Sequence, residues 1–224
     1  MKKLLVILLV FALLLPGVYA VQTVNNPNGS VVTIEEDTHD DLFVSDEKVI
    51  INGNVNGDLF ATGGEVIVNG NVTGDAYIAG GNITVNGQIA GELITAGGQA
   101  TISGNTEKII AFCGDLEIKG STGKIVAMAG NVKIHSTSVV NRYAYIIAGT
   151  FDNHGTINGE LSLTAEQLVS KGNVGSFNYQ KSTASEDISK GIKAFFGIVS
   201  FLVTIGTLVL GLLFIKLFPK LFFT

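Results

Sequence analysis

One 17-residue phrase is written three times in succession in this chain. The copies are VIINGNVNGDLFATGGE (49–65), VIVNGNVTGDAYIAGGN (66–82) and ITVNGQIAGELITAGGQ (83–99). A fixed internal period is the signature of repeat architectures and constrains the fold more than any local propensity. Within each copy apolar residues alternate with polar ones, and Gly interrupts the alternation every few positions. That is the pattern of short strands joined by turns, and no stretch is long enough for a helix. One copy holds too few apolar residues to bury anything alone. Stacked copies cover one another and make a continuous core. The repeat therefore predicts an all-β solenoid.

The period extends beyond the three clear copies. Leu42-Phe43-Val44-Ser45-Asp46-Glu47 aligns with Leu59-Phe60-Ala61-Thr62-Gly63-Gly64, 17 residues on. Ile102, Ile109, Leu116, Ile118, Ile125, Val132 and Ile134 continue the apolar columns, at first one residue short, and 151–167 returns to register. A last partial coil runs over 168–179, which gives roughly eight coils and a rod of roughly 40 Å at about 4.8 Å per coil. Ile51, Val68, Val85, Ile102, Ile118 and Ile134 are expected to stack inward as one ladder, with Val55, Val72 and Ile89 as a second. Gly53, Gly70, Gly87, Gly104 and Gly120 recur in one column, where a corner with positive φ is expected.

Two segments lie outside this pattern. Residues 1–20 read as a secretory signal, with Lys2 and Lys3, an apolar run Leu4 to Leu15, and the small-residue site Val18-Tyr19-Ala20. Residues 194–215 hold no charge and, at about 1.5 Å rise per residue, reach roughly 33 Å as a helix, enough to cross a bilayer. The expected organisation is a signal (1–20), a capping lead-in (21–40), the solenoid (41–180), a polar linker (181–193), a transmembrane helix (194–215) and a tail (216–224). This places the chain in the cytoplasmic membrane as a single-pass protein with the solenoid on the extracytoplasmic side. Between residues 21 and 189 there are 8 basic and 19 acidic residues, a net charge of −11. Such a body does not suit nucleic acid or anionic lipid as a partner. The single Cys113 excludes an internal disulfide and stands where the repeat has Gly, as a buried small residue rather than a nucleophile.

Candidate chemistry is sparse. The carboxylate column Asp58, Asp75 and Glu92 would bring side chains about 5 Å apart in stacked coils, close enough to share a cation. Its Gly-rich, Asp-bearing pattern faintly resembles calcium-binding β-roll repeats. The preferred reading is a turn residue bonding its own backbone, since the nonapeptide spacing is absent and the column is three residues long. Asn52, Asn69 and Asn86 read as an asparagine stack or Asn-Gly turns. His39, His135 and His154 fall in different coils without ligand spacing. A polysaccharide lyase would need Asp with Arg or Lys clustered on one face, and the chain has one arginine, Arg142. A hexapeptide acyltransferase would show a period of 18. No catalytic residue and no cofactor is expected.

The motif VNGNVxGDxxxxGGxxxVNG at a 17-residue period, carried by Val68 to Asp75, Gly80-Gly81 and Val85 to Gly91, resembles the bactofilin or polymer-forming cytoskeletal protein group. The resemblance covers about 41–167. It implies a single-stranded right-handed β-helix that polymerises end to end into nucleotide-free, membrane-associated scaffolds. The export signal and the membrane segment correspond to an exported, membrane-bound subgroup. The expected function is that of a non-enzymatic, membrane-anchored envelope scaffold that assembles with itself. The alternative is a binding module whose face holds an envelope polymer, a cation or a membrane protein.

Overall fold

The computed structural model describes residues 22–24 and 31–182. The expected signal (1–20), membrane helix (194–215) and tail lie outside them. Among the described residues no helix is long and apolar enough to cross a membrane. One compact unit ends at Lys181.

Eleven strands make one parallel sheet wound on itself: β1 (Gln22–Val24), β2 (Val31–Ile34), β3 (Leu42–Ile51), β4 (Leu59–Val68), β5 (Ala76–Val85), β6 (Ile89–Ile102), β7 (Thr106–Ile118), β8 (Thr122–Ile134), β9 (Val139–Asn153), β10 (Thr156–Ser170) and β11 (Asn173–Lys181). From β3 onward each strand pairs with the next in chain order, while β1 and β2 both pair with β3. Pairing a strand with its successor in parallel requires the chain to travel once around between them, so each step is one coil of a β-solenoid. The stacking starts before Asp41, since Val31 to Ile34 already lie in register with Lys48 to Ile51.

The column that begins at Leu42 counts the rungs. It runs Leu42, Leu59, Ala76, Leu93, Ile109, Ile125, Ala144, Leu161 and Phe177. There are about nine turns rather than eight. The rise between coils is 17 residues at first, then 16, 16, 19, 17 and 16. The short coils lose their residue at a corner, where Ala90 and Gly91 between paired Ile89 and Glu92 are opposed by Glu107 alone. The long coil gains residues at its two corners, where Val140 follows Ile134 by six positions against four in the coils before it.

Both expected ladders form. Ile51, Val68, Val85, Ile102, Ile118 and Ile134 are all fully buried, as are Val55, Val72 and Ile89 to within 1%. The first ladder ends on a polar residue: Asn153 pairs with Ile134, is fully buried, and is satisfied by donating to the Lys171 carbonyl (2.6 Å) and accepting from the Gly155 N–H (2.9 Å). Volume is balanced within coils. Leu59 is followed by Ala61, Ala76 by Ile78, Ile109 by Ala111, and Ala144 by Ile146, so these four cross-sections each receive one large and one small side chain there.

The glycine column has a different cause from the one its sequence suggests. Among the described residues only Gly172 has positive φ, at 59°. Gly53, Gly70, Gly87, Gly104 and Gly120 are buried with ordinary backbone. A Cβ on Gly70 would overlap the carbonyl oxygen of Gly53, and one on Gly87 that of Gly70. These positions are glycine because the coil below leaves no room, not because the turn is left-handed.

Candidate functional site

The carboxylate column forms, and it is longer than three. Asp41 precedes Asp58, Asp75 and Glu92. The Asp58 N–H donates to Asp41 Oδ1, the Asp75 N–H to Asp58 Oδ1 and the Glu92 N–H to Asp75 Oδ1, each at 2.8 Å. Each Asp therefore caps the backbone of the next coil. The expected bond to the residue's own turn is replaced by a bond across the stack. The column then changes sign: Lys108 pairs with Glu92, and Lys124 follows Lys108. Lys108 Nζ lies 3.0 Å from Glu92 Oε1, and Lys124 Nζ sits 5.6 Å from the Tyr143 ring centre. Among the described residues no group of three His, Cys, Asp or Glu is placed to hold a metal ion.

Two amide ladders run beside it. Asn86 donates to Asn69 Oδ1 and Asn69 to Asn52 Oδ1, both at 2.8 Å, and Asn52 donates to the Glu35 carboxylate. A second ladder was hidden in the sequence. Backbone N–H groups of Asn54, Asn71, Gln88 and Ser121 donate to the side-chain oxygens of Asp37, Asn54, Asn71 and Asn105 at 2.7–3.0 Å. The N–H of Asn54, with the Asn54 amide, holds the Asp37 carboxyl below its ordinary range. The signal was present as a short polar residue one place after the corner glycines Gly53, Gly70, Gly104 and Gly120, with Gln88 after Gly87.

The histidines are scattered as expected. His135 Nε2 lies 2.5 Å from Glu117 Oε1, and His154 Nε2 3.0 Å from Asp152 Oδ1, while His39 is exposed in the first coil. Hydrogen bonds from His135 and then Lys119 hold the Glu117 carboxyl below its ordinary range. Among the described residues neither paired imidazole is hydrogen-bonded to a hydroxyl or a thiol, so no nucleophile stands ready for either. Cys113 is buried opposite Gly97, and desolvation raises its thiol pKa, which suits a packing role. The lone Arg142 pairs with Glu107 beside an open groove of about 610 Å³.

Sequence reasoning passed over the outer face of the same strands. Phe43, Phe60 and Tyr77 stack with ring centres 4.3 and 4.7 Å apart and planes within 9°. Their track continues through Ile94, Ile110, Val126 and Tyr145. Two residues further along each strand a second track runs Ser45, Thr62, Ala79, Ala96, Phe112, Met128 and Ile147. None of these positions is charged. Tyr77, Phe112, Tyr145 and Ile147 are exposed by 36–46%, and a shallow depression of about 300 Å³ lies among Phe112, Met128, Tyr145 and Ile147. A contiguous, mostly apolar outer face is unusual for a protein surface and makes these tracks a candidate interaction site.

No protein-family model, curated protein or solved structure matches the chain.

Proposed function

We propose that this chain is a non-enzymatic scaffold of the cell envelope, a bactofilin-like right-handed β-solenoid held at the membrane and assembling end to end. In this reading residues 1–20 direct export, 194–215 anchor the chain, and the solenoid stands on the extracytoplasmic side. The observation that carries it is the state of the stack's ends. Among the described strands, β11 is bonded only to β10, and β1 and β2 only to β3. A parallel edge strand with an apolar cross-section behind it (Phe177 and Tyr179 pack on the core) is a template for another strand. The acidic body, eight basic against 19 acidic residues, directs assembly through backbone and apolar groups rather than toward a polyanion.

The test is light scattering of the full chain in detergent micelles over a wide concentration range. Mass that grows in whole-chain steps is the expected result. A single-chain mass at every concentration would contradict end-to-end assembly.

A second reading, a module whose side face holds an envelope polymer, a cation or a membrane protein, is favoured by the Phe43, Phe60 and Tyr77 stack. For a cation, calcium would raise the melting temperature of the chain, and Asp58→Ala with Asp75→Ala would abolish the rise.

A further inference from the structure

We infer that the apolar outer face receives a second copy of this chain, face to face and with the two rods antiparallel. This goes beyond end-to-end assembly, because such a pair uses neither end of the stack.

Two independent patterns on the face change at the same rung. The first is size. In the second track the early positions are small (Thr62, Ala79, Ala96) and the later ones large (Phe112, Met128, Ile147). The second is charge. The column bordering the face is acidic at Asp41, Asp58, Asp75 and Glu92 and basic at Lys108 and Lys124, before Tyr143 and Glu160 end it. Both switches fall between the rung of Leu93 and the rung of Ile109.

A two-fold axis lying in the face, across the rod and between those rungs, uses both patterns at once. It sets Ala96 against Phe112 of the second copy, Ala79 against Met128 and Thr62 against Ile147. Small residues meet large ones, so the surfaces interdigitate. The same operation lays the bordering column against itself with its direction reversed. Glu92 then faces Lys108, and Asp75 faces Lys124, of the second copy, while Asp58 meets Tyr143 and the like charges Asp41 and Glu160 meet only at the two ends of the face. Complementary charge at the rim of an apolar patch fixes register and orientation. A parallel pair would set bulky half against bulky half and leave the acidic column opposite the bare glycines of the other border. Isologous two-fold pairing is also the commonest symmetry of soluble assemblies.

The size is adequate. With the uncharged Ser162 and Thr164 continuing the tracks past Tyr145 and Ile147, eight rungs at about 4.8 Å span roughly 34 Å, and six residue steps at about 3.3 Å span roughly 20 Å. That is on the order of 700 Å² per copy and 1,400 Å² in total, at the lower end of stable interfaces.

The experiment is cross-linking of the full chain in membranes. In a Cys113→Ala background, two differently tagged copies are co-expressed, one Ala79→Cys and the other Met128→Cys. Both positions face outward, and Ala129 already stands next to Cys113 in its column, so the fold tolerates these changes. Cross-links from 79 to 128 are expected to exceed 79-to-79 and 128-to-128 links by about tenfold. Adding Ile94→Glu, at the centre of the face, is expected to reduce them by about tenfold. Dominant 79-to-79 links would overturn the antiparallel pair. A chain that retains its β-type circular dichroism yet forms no link at either position would show that something else covers the face, residues 183–224 of the same chain included, and would overturn the inference. End-to-end contacts alone form none of these links, so the two kinds of assembly are read separately.

Discussion

At the residue scale, the positions that decide the fold are those where one coil meets the next. Gly87 is buried over the Gly70 carbonyl, and Gly87→Ala forces the two coils apart. A loss of about 3 kcal/mol is expected, the upper end for overpacking, measured by denaturant unfolding of the variant beside the parent chain. Thr95 is the opposite case. It is fully buried between Ile78 and Ala111, and its Oγ1 has no hydrogen-bond partner among the described residues. Thr95→Val keeps the shape and removes an unsatisfied hydroxyl, so a gain of about 1 kcal/mol is expected in the same assay. Thr106 and Thr122, which bond each other at 2.8 Å in the core, give no such gain. Glu117 supplies a pH signature. Its folded pKa is depressed by His135 and Lys119, so the stability it contributes is present above the unfolded carboxylate value and is lost as pH falls through the folded one. The melting temperature of the parent chain should exceed that of Glu117→Gln near neutrality. The difference should close below about pH 4.5. A constant difference down to pH 3 would remove Glu117 from the account. The chain's letters disclosed which column Gly87 belongs to, because period alone assigns columns. They did not disclose why it is glycine, because left-handed φ and a close carbonyl leave the same letter.

At the scale of the element, the strands were legible and the hydrogen bonds between coils were not. The alternation in Leu42 to Ile51 and its copies predicts which side chains turn inward, and Val44, Val49 and Ile51 do so. The Asp58 column read as a set of local turns because sequence shows neighbours along the chain. The carboxylates instead accept from residues 17 positions later. The same holds for the amide ladder through Asn71, whose Oδ1 takes the Gln88 N–H. Asn71→Ala exposes that N–H to water rather than burying it, so a loss of about 1 kcal/mol is expected, in a chemical unfolding curve. Coil count was short by one because the corners change length. One residue is dropped beside Glu107 and two are added between Ile134 and Val140, and a fixed period reads both as decay of the repeat. The outer aromatic track stayed hidden for a related reason: Phe43, Phe60 and Tyr77 alternate correctly with buried neighbours and look like ordinary strand residues until the stacking sets their rings parallel.

At the scale of the whole molecule, stability is a sum over rungs and the joints between them, and each rung needs its neighbours. The interior continues without a break from Leu42 to Leu163, closed near its end by the satisfied Asn153. What such a stack offers to other molecules is its surfaces: two ends with strand edges, one uncharged face, and a column that changes sign halfway along. The proposed end-to-end assembly would use the ends, and the inferred lateral pairing the face. The measurement that tests the central claim most directly is cryo-electron microscopy of the full chain in detergent at assembling concentration. End-to-end pairing by strand edges predicts rods in which the rungs continue across the joint between chains at about 4.8 Å. Rods of about nine rungs standing apart, or meeting with a gap too wide for backbone hydrogen bonds, would contradict it.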